Sequence, residues 1–241
     1  MVSYLSAQGG ERGTLIFLHG WRSEAAVWST TMAGMAAEGF STYALDLPGF
    51  GSSEDPTRPF PIHDYADVVA GFMQKLGIPR AIVVGHSFGG RVGIVLAAEH
   101  APLVSKLVLV DAAGVRPPSL RRAAFFVTAK ALKPFFSPRF MQPARRAFYR
   151  ALGAEDYVAT PALMETFRRV VGEDLSPLFS KITQKTLLFW GEKDLDTSLS
   201  FAEAMQKAIP HTTLIVVPGA GHFSFIDAPE RFFTALKSFI A

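Results

Sequence analysis

Ser87 stands in the pentapeptide Gly85-His86-Ser87-Phe88-Gly89, a G-x-S-x-G pattern. Serine is a weak nucleophile at neutral pH. It becomes a strong one when an adjacent base takes its proton and a third group orients that base. The flanking residues give the pattern a mechanical meaning. Ala81–Val84 before it is a β-branched run that reads as a buried strand. Gly90–His100 after it is apolar and helix-compatible, and stops at Ala101-Pro102. A strand, a sharp turn and a helix would lift the Ser87 hydroxyl clear of the backbone. Such a turn is strained and tolerates only small neighbours, which Gly85 and Gly89 supply. The helix N-terminus would add N–H groups and a positive dipole end beneath developing negative charge. The plainer reading is a glycine-rich turn with a chance serine; the strand before and the helix after favour a nucleophile.

A nucleophile needs partners delivered by other elements. Strand candidates are Thr14–Leu18, Thr42–Leu45, Ala81–Val84, Lys106–Val110, Thr186–Trp190 and Thr213–Val217. Three others besides the serine strand run directly into chemistry-bearing residues: His19-Gly20-Trp21, then Gly191-Glu192-Lys193-Asp194, then Pro218-Gly219-Ala220-Gly221-His222. In an open parallel sheet the C-terminal edge of the strands is where ligands bind. The chain order is Ser87, Asp194, His222, an order associated with a serine on a strand-to-helix elbow.

Between the strands lie helical patterns. His63–Leu76 places Tyr65, Val68, Val69, Phe72 and Leu76 on one face and stops at Gly77, with Pro79 beyond. Ala228–Ile240 aligns Phe232, Leu236, Phe239 and Ile240, with Asp227 as a candidate N-cap and Pro229 in the first turn. Near-continuous apolar strands alternating with helices predict βαβ units and a mainly parallel sheet covered on both faces. The stretch from Gly114 to about residue 182 breaks this alternation. It is rich in Pro, Phe and Arg, and reads as several short helices inserted between two strands, one of them over Ala162–Val171 after Thr160-Pro161.

The chain of 241 residues suffices for one large α/β domain, and 49% hydrophobic residues suffice for its core. With no cysteine, disulfides and thiolate metal sites are excluded. A net charge of +3 does not argue for nucleic acid. Met1–Gly13 shows no basic segment followed by an apolar run, and no stretch reaches the ~18–20 apolar residues of a membrane span. The expectation is a cytoplasmic protein with no transmembrane segment.

Five motifs together resemble the α/β-hydrolase superfamily. They are Leu18-His19-Gly20-Trp21, Asp46-Leu47-Pro48-Gly49-Phe50-Gly51-Ser52-Ser53, Gly85-His86-Ser87-Phe88-Gly89-Gly90, Gly191-Glu192-Lys193-Asp194 and Gly219-Ala220-Gly221-His222. The chain is similar over nearly its whole length to small bacterial carboxylesterases, with some likeness to the pimeloyl-carrier methyl esterases. The resemblance implies an α/β-hydrolase fold of about seven or eight strands, mainly parallel. The core would be 1–114 and 183–241, with a helical cap inserted at 115–182. It implies Ser87 as nucleophile, His222 as general base and then acid, and Asp194 as orienting carboxylate. The backbone N–H groups of Trp21 and Phe88 would form the oxyanion hole, and Trp21, Phe88 and Phe223 would line the substrate. Asp196 and Asp111 compete with Asp194; Asp194 is preferred for its spacing after the strand. His19 reads as structural, His86 as packing beside the elbow, Asp46 as a loop holder and Arg91 as a paired core residue. His63, His100 and His211 read as surface or helix-end residues. The superfamily often begins with two antiparallel strands, whereas here only Val2–Ala7 precedes Thr14–Leu18, so the first strand is expected to be missing.

The expected activity is hydrolysis of carboxylic esters through an acyl-enzyme, with no metal and no cofactor. A carbon–carbon bond hydrolase, a cofactor-free haloperoxidase or lyase, or a slow-turnover ligand receptor could share every motif. The partner expected is a small-molecule ester. From Val115 to Leu152 there are nine basic residues and no acidic one, with phenylalanines interleaved. That stretch reads either as a set of solvated amphipathic helices or as a surface for anionic esters, an acyl carrier or membrane headgroups.

Overall fold

The structure, a computed structural model, describes residues 1–115 and 163–241. The basic stretch and the Thr160-Pro161 helix start lie outside the described residues, as does most of the expected insertion. Seven strands form one sheet among the described residues: β1 Tyr4–Ala7, β2 Thr14–Leu18, β3 Ser41–Leu45, β4 Ala81–His86, β5 Val104–Val110, β6 Lys185–Gly191 and β7 Thr212–Val217. Their order is β1-β3-β2-β4-β5-β6-β7, and every pairing is parallel except β1 with β3. The chain runs from β2 outward to β3 and β1's side, then returns to place β4 on β2's other flank. The C-terminal ends of β2 and β4 therefore flank a topological switch point, the natural crevice of a parallel sheet.

Both faces of the sheet are apolar because successive strand residues point to opposite sides. Ile16, Leu18, Val83, Leu107, Leu109, Leu188 and Trp190 join one buried cluster. Their neighbours Leu15, Phe17, Ile82, Val84, Val108, Val110, Leu187 and Phe189 join the other. The first face is covered by α2 (Ile62–Lys75) through Tyr65 and Val69, and by α3 (Phe88–Glu99) through Val92 and Leu96. The second is covered by α1 (Ser29–Ala37) through Met32 and Met35, with a C-terminal helix at Pro229–Ile240 contributing Phe232 and Leu236.

After the undescribed stretch the chain re-enters as α4, Met164–Gly172, close to the expected helix over Ala162–Val171. It then passes through a 3-10 turn at Ser176–Lys181 into β6. The remaining helices are α5 (Leu199–Ala208), the single turn α6 (Ser224–Asp227) and α7 (Pro229–Ile240). Asp227 does not cap α7. Ala228 holds the N-cap position without a side-chain bond, and the Asp227 carboxylate instead accepts the Gly221 N–H at 2.8 Å. No helix among the described residues is long and apolar enough to cross a membrane.

Candidate active site

Ser87 lies between the last residue of β4 and the first of α3, with φ 50° and ψ −109°. This is the left-handed side of the map, where a non-glycine residue carries strain. The surrounding bonds over-determine it. The Ser87 N–H donates to Val110 O at 3.0 Å, and its carbonyl accepts N–H groups from Gly90 and Ala113 at 3.1 Å each. Close packing explains the flanking glycines. A Cβ at Gly85 would lie 2.4 Å from Gly89 O, and one at Gly89 would lie 2.3 Å from Leu18 O. Neither neighbour is a movable side chain, so β2, β4 and α3 can approach this closely only around glycine.

The turn brings Ser87 Oγ to 3.0 Å from His222 Nε2. His222 Nδ1 lies 2.9 Å from Asp194 Oδ2. His222 follows β7 and Asp194 follows β6, so three strand ends converge on one line of hydrogen bonds. The Asp194 side chain is fully buried and that of His222 is 15% exposed. Burial disfavours the Asp194 charge, but hydrogen bonds from His222 and Thr197 outweigh burial and hold its carboxyl below the usual range. Burial likewise disfavours the His222 cation, yet the hydrogen bond and charge of Asp194 outweigh it and raise the imidazole above its ordinary value.

Asp194 is seated by residues that the sequence motifs did not single out. Asp194 Oδ1 accepts the N–H groups of Asp196 at 2.8 Å and Thr197 at 2.9 Å. Oδ2 accepts the Thr197 hydroxyl at 2.6 Å. The Thr197 carbonyl is in turn held by the Trp190 indole N–H at 2.7 Å. The spacing Asp-x-x-Thr is a local signal for such a turn, because a short carboxylate readily accepts backbone N–H groups two and three residues on. Asp196 takes part through its N–H.

Asp111, the other competitor, does not meet the imidazole Nδ1. It is wholly buried, with φ 44°, and ties two loops together. Oδ1 accepts the Gly191 N–H at 2.8 Å, and Oδ2 accepts the Ser224 N–H at 2.9 Å and its hydroxyl at 2.6 Å. Burial pushes its carboxyl up to about 7, against these hydrogen bonds. The His222 loop gains two further anchors, the Asp227 bond to Gly221 and a Glu192 carboxylate accepting the Gly219 N–H at 2.9 Å.

On the other side of Ser87 lies the loop after β2. The Ser23 N–H donates to Gly20 O at 3.1 Å, closing a turn with Trp21 and Arg22 at its centre. Arg22 has φ 59°, as the third residue of a type II turn requires. The Trp21 N–H is not used in closing that turn, and the Phe88 N–H opens α3, where it has no acceptor one helical turn back. The Trp21 ring packs on Phe88, Phe50 and Phe167, with centroids 5.2, 4.8 and 5.0 Å away. The sequence pointed to Trp21 and Phe88; Phe50 and Phe167 complete the aromatic wall. Phe223, expected to line the substrate, is 42% exposed beside His222.

The supporting roles expected of other residues are met. His19 is buried, donates from Nδ1 to Gly20 O at 2.7 Å and accepts the Leu47 N–H at Nε2, 3.0 Å away. Asp46 accepts Ala25 N–H at 2.7 Å and Ser52 N–H at 2.9 Å, joining two loops. Arg91 donates to the Glu173 carbonyl. His63 does more than sit at a helix end, since it bridges Glu99 and Glu173 at 2.8 and 2.7 Å. His100 pairs with Asp67 at 3.0 Å. Among the described residues only one strand precedes β2, as expected: β1, within Val2–Ala7, forms the antiparallel edge against β3.

The chain is similar to known proteins along most of its length. Residues 15–235 match the model of an alpha/beta hydrolase family. A 2-(acetamidomethylene)succinate hydrolase of Mesorhizobium japonicum is 29% identical, covering 96% of this chain and 89% of the relative. A pimeloyl-[acyl-carrier protein] methyl ester esterase of Nitrosomonas europaea is 27% identical, covering 92% and 94%. The fold is that of an esterase from Exiguobacterium antarcticum, with a TM-score of 0.79 at 23% identity over 99% of this chain and 95% of that one. A serine on a strand-to-helix elbow, bonded to a histidine after the last strand, on a sheet matched from β2 to α7, places the chain in the alpha/beta hydrolase family.

Proposed function

We propose that the protein hydrolyses carboxylic esters, with Ser87 as nucleophile, His222 as proton carrier and Asp194 as orienting carboxylate. The observation that carries this reading is the continuous relay from Ser87 Oγ to His222 Nε2 at 3.0 Å and from His222 Nδ1 to Asp194 Oδ2 at 2.9 Å. Ser87 Oγ attacks the ester carbonyl carbon while its proton passes to His222 Nε2. The imidazolium so formed is stabilised by the buried Asp194 carboxylate. Negative charge on the former carbonyl oxygen is taken by the N–H groups of Trp21 and Phe88, aided by the N-terminus of α3. When the tetrahedral intermediate collapses, the alkoxide leaves with the proton from His222. Water then enters, gives a proton to His222 and its oxygen to the acyl carbon. The second intermediate releases the carboxylic acid and returns the proton to Ser87.

Substrate choice is proposed to favour esters carrying a free carboxylate. Two observations support this: the nine basic residues without an acidic one from Val115 to Leu152, and a relative named for a succinate derivative. A cleft under positive potential raises the encounter rate of anions.

The test is turnover of p-nitrophenyl esters and of a dicarboxylate monoester beside its neutral diester, with Ser87→Ala as control. Turnover abolished in folded Ser87→Ala supports the mechanism, and near-normal turnover in that variant overturns it. A preference for the monoester that shrinks at high salt and in Arg121→Glu/Arg122→Glu supports the anionic substrate. A ratio that neither salt nor the double reversal moves would remove that part.

A further inference from the structure

His86 has no part in the reaction as written, yet it lies between the two loops that reaction needs. It ends β4, immediately before the nucleophile, and is 1% exposed. Its Nε2 lies 2.7 Å from the backbone carbonyl of His222, the base itself. A carbonyl only accepts, so Nε2 carries the proton and Nδ1 is bare. Among the described residues Nδ1 has no hydrogen-bond partner. It faces the other loop, because a Cβ built on Gly20 would sit 2.8 Å from Nδ1 and 3.5 Å from Ser87 Cβ. Phe223 and Phe225 pack on the ring at 4.8 and 5.1 Å, and the His222 ring lies 5.0 Å away.

We infer that His86 is a positioning residue, whose Nε2–H bond to the His222 carbonyl holds the base in register with Ser87 while its Nδ1 edge seats the Gly20-Trp21 turn. The side chain of residue 86 meets the carbonyl of His222 and that of residue 87 meets its ring, so one short segment sets the nucleophile, the base and the oxyanion loop. The ring must also stay uncharged. Two imidazolium rings at this separation would repel, and the proton from Ser87 has to reside on His222 alone. Burial, joined by the charge of His222, drives the His86 pKa down to about 3, so it remains neutral throughout. Gly20 is glycine because any side chain there would push against the imidazole.

The inference rests on the hydrolase reading above, and two amide variants test it. In His86→Gln the amide nitrogen reaches roughly where Nε2 stood and can donate to the His222 carbonyl. In His86→Asn the shorter side chain cannot. The two are alike in polarity, so a general cost of disturbing the core falls on both. His86→Asn is expected to lower kcat by about 10- to 100-fold, the scale of an ångström of misplacement, with KM little changed. His86→Gln should recover kcat to within about fivefold of the unaltered protein. The labelling rate of Ser87 by a fluorophosphonate gives the same comparison without requiring turnover, and circular dichroism confirms folding. Unaltered protein that resists the fluorophosphonate would defeat the reading of Ser87. Labelling of the unaltered protein with His86→Gln and His86→Asn equal to one another, at any level, would defeat the role of His86. If neither variant folds, Gly20→Ala serves. It should lower the labelling rate in folded protein, and an unchanged rate would overturn the contact with the turn.

Discussion

Replacing Asp194 by asparagine should be more damaging than its size suggests, and the local hydrogen bonds say why. Asp194 Oδ1 accepts two backbone N–H groups, from Asp196 at 2.8 Å and Thr197 at 2.9 Å. In the variant, the amide oxygen must take that place. The opposite orientation would set an NH2 against two buried donors, at about 1–3 kcal/mol for each donor left unsatisfied. The NH2 then occupies the Oδ2 position, facing His222 Nδ1 at 2.9 Å and the Thr197 hydroxyl at 2.6 Å. Thr197 can adapt, because its hydroxyl also reaches Asp111 O at 2.9 Å and can donate there. His222 cannot. Facing a donor, Nδ1 must give up its proton, which moves to Nε2 and points at Ser87 Oγ, 3.0 Å away. The imidazole is then in the tautomer that cannot accept the serine proton. In serine proteases this fault costs about 10⁴-fold in kcat, or about 5 kcal/mol of barrier. Steady-state hydrolysis of a p-nitrophenyl ester reads the loss directly. Proton NMR should show the far-downfield Nδ1–H of the unaltered protein vanish in the variant. Asp194→Ala imposes no wrong tautomer, so asparagine should be at least as harmful as alanine. An Asp194→Asn protein within tenfold of full activity, or clearly better than Asp194→Ala, would refute the reasoning.

Two other predictions follow from the charges of the site. His222 acts as a base only when neutral, and Asp194 holds its pKa above the ordinary histidine value, so kcat/KM should climb with pH through a single limb centred above about 6.5. Below that limb the pair stabilises the fold. A raised histidine gives stability that is full below its unfolded pKa and lost as pH rises through the folded one. Asp194, lowered, gives stability present above its unfolded pKa and lost as pH falls through the folded one. A limb centred below 6.5 would contradict the pairing. Asp111→Asn should act chiefly on stability, since an amide cannot accept at both Gly191 and Ser224. One unsatisfied buried donor at about 1–3 kcal/mol corresponds to a Tm lower by about 2–12 °C for a chain of this size. Thermal unfolding checks the fall, and a kcat loss exceeding that of Asp194→Asn would transfer the acid role to Asp111.

The local sequence was enough for most of the elements and singled out the three residues, Ser87, Asp194 and His222, that the fold brings into one line of hydrogen bonds. β-branched runs of five or six residues bounded by glycine and proline have few alternatives to buried strands, and β2 and β5 to β7 form within two residues of where they were expected. The elbow was legible because Gly85, Ser87 and Gly89 are adjacent in the chain, and their demands are local: a strained φ and two contacts that exclude a Cβ. What local sequence could not decide were partnerships across the sheet. Three aspartates stood within reach of being the acid. Only the register of β5, β6 and β7 puts Asp194 on the imidazole and turns Asp111 toward Gly191 and Ser224. Asp227 looked like a helix cap because capping is a local habit, but the loop before it presents the Gly221 N–H to its carboxylate. Nothing near His86 in sequence announces His222, 136 residues away. A hydrogen bond between distant loops depends on strand order and on the few ångströms by which sheets stagger, and those are properties of the assembled fold rather than of any window of the chain.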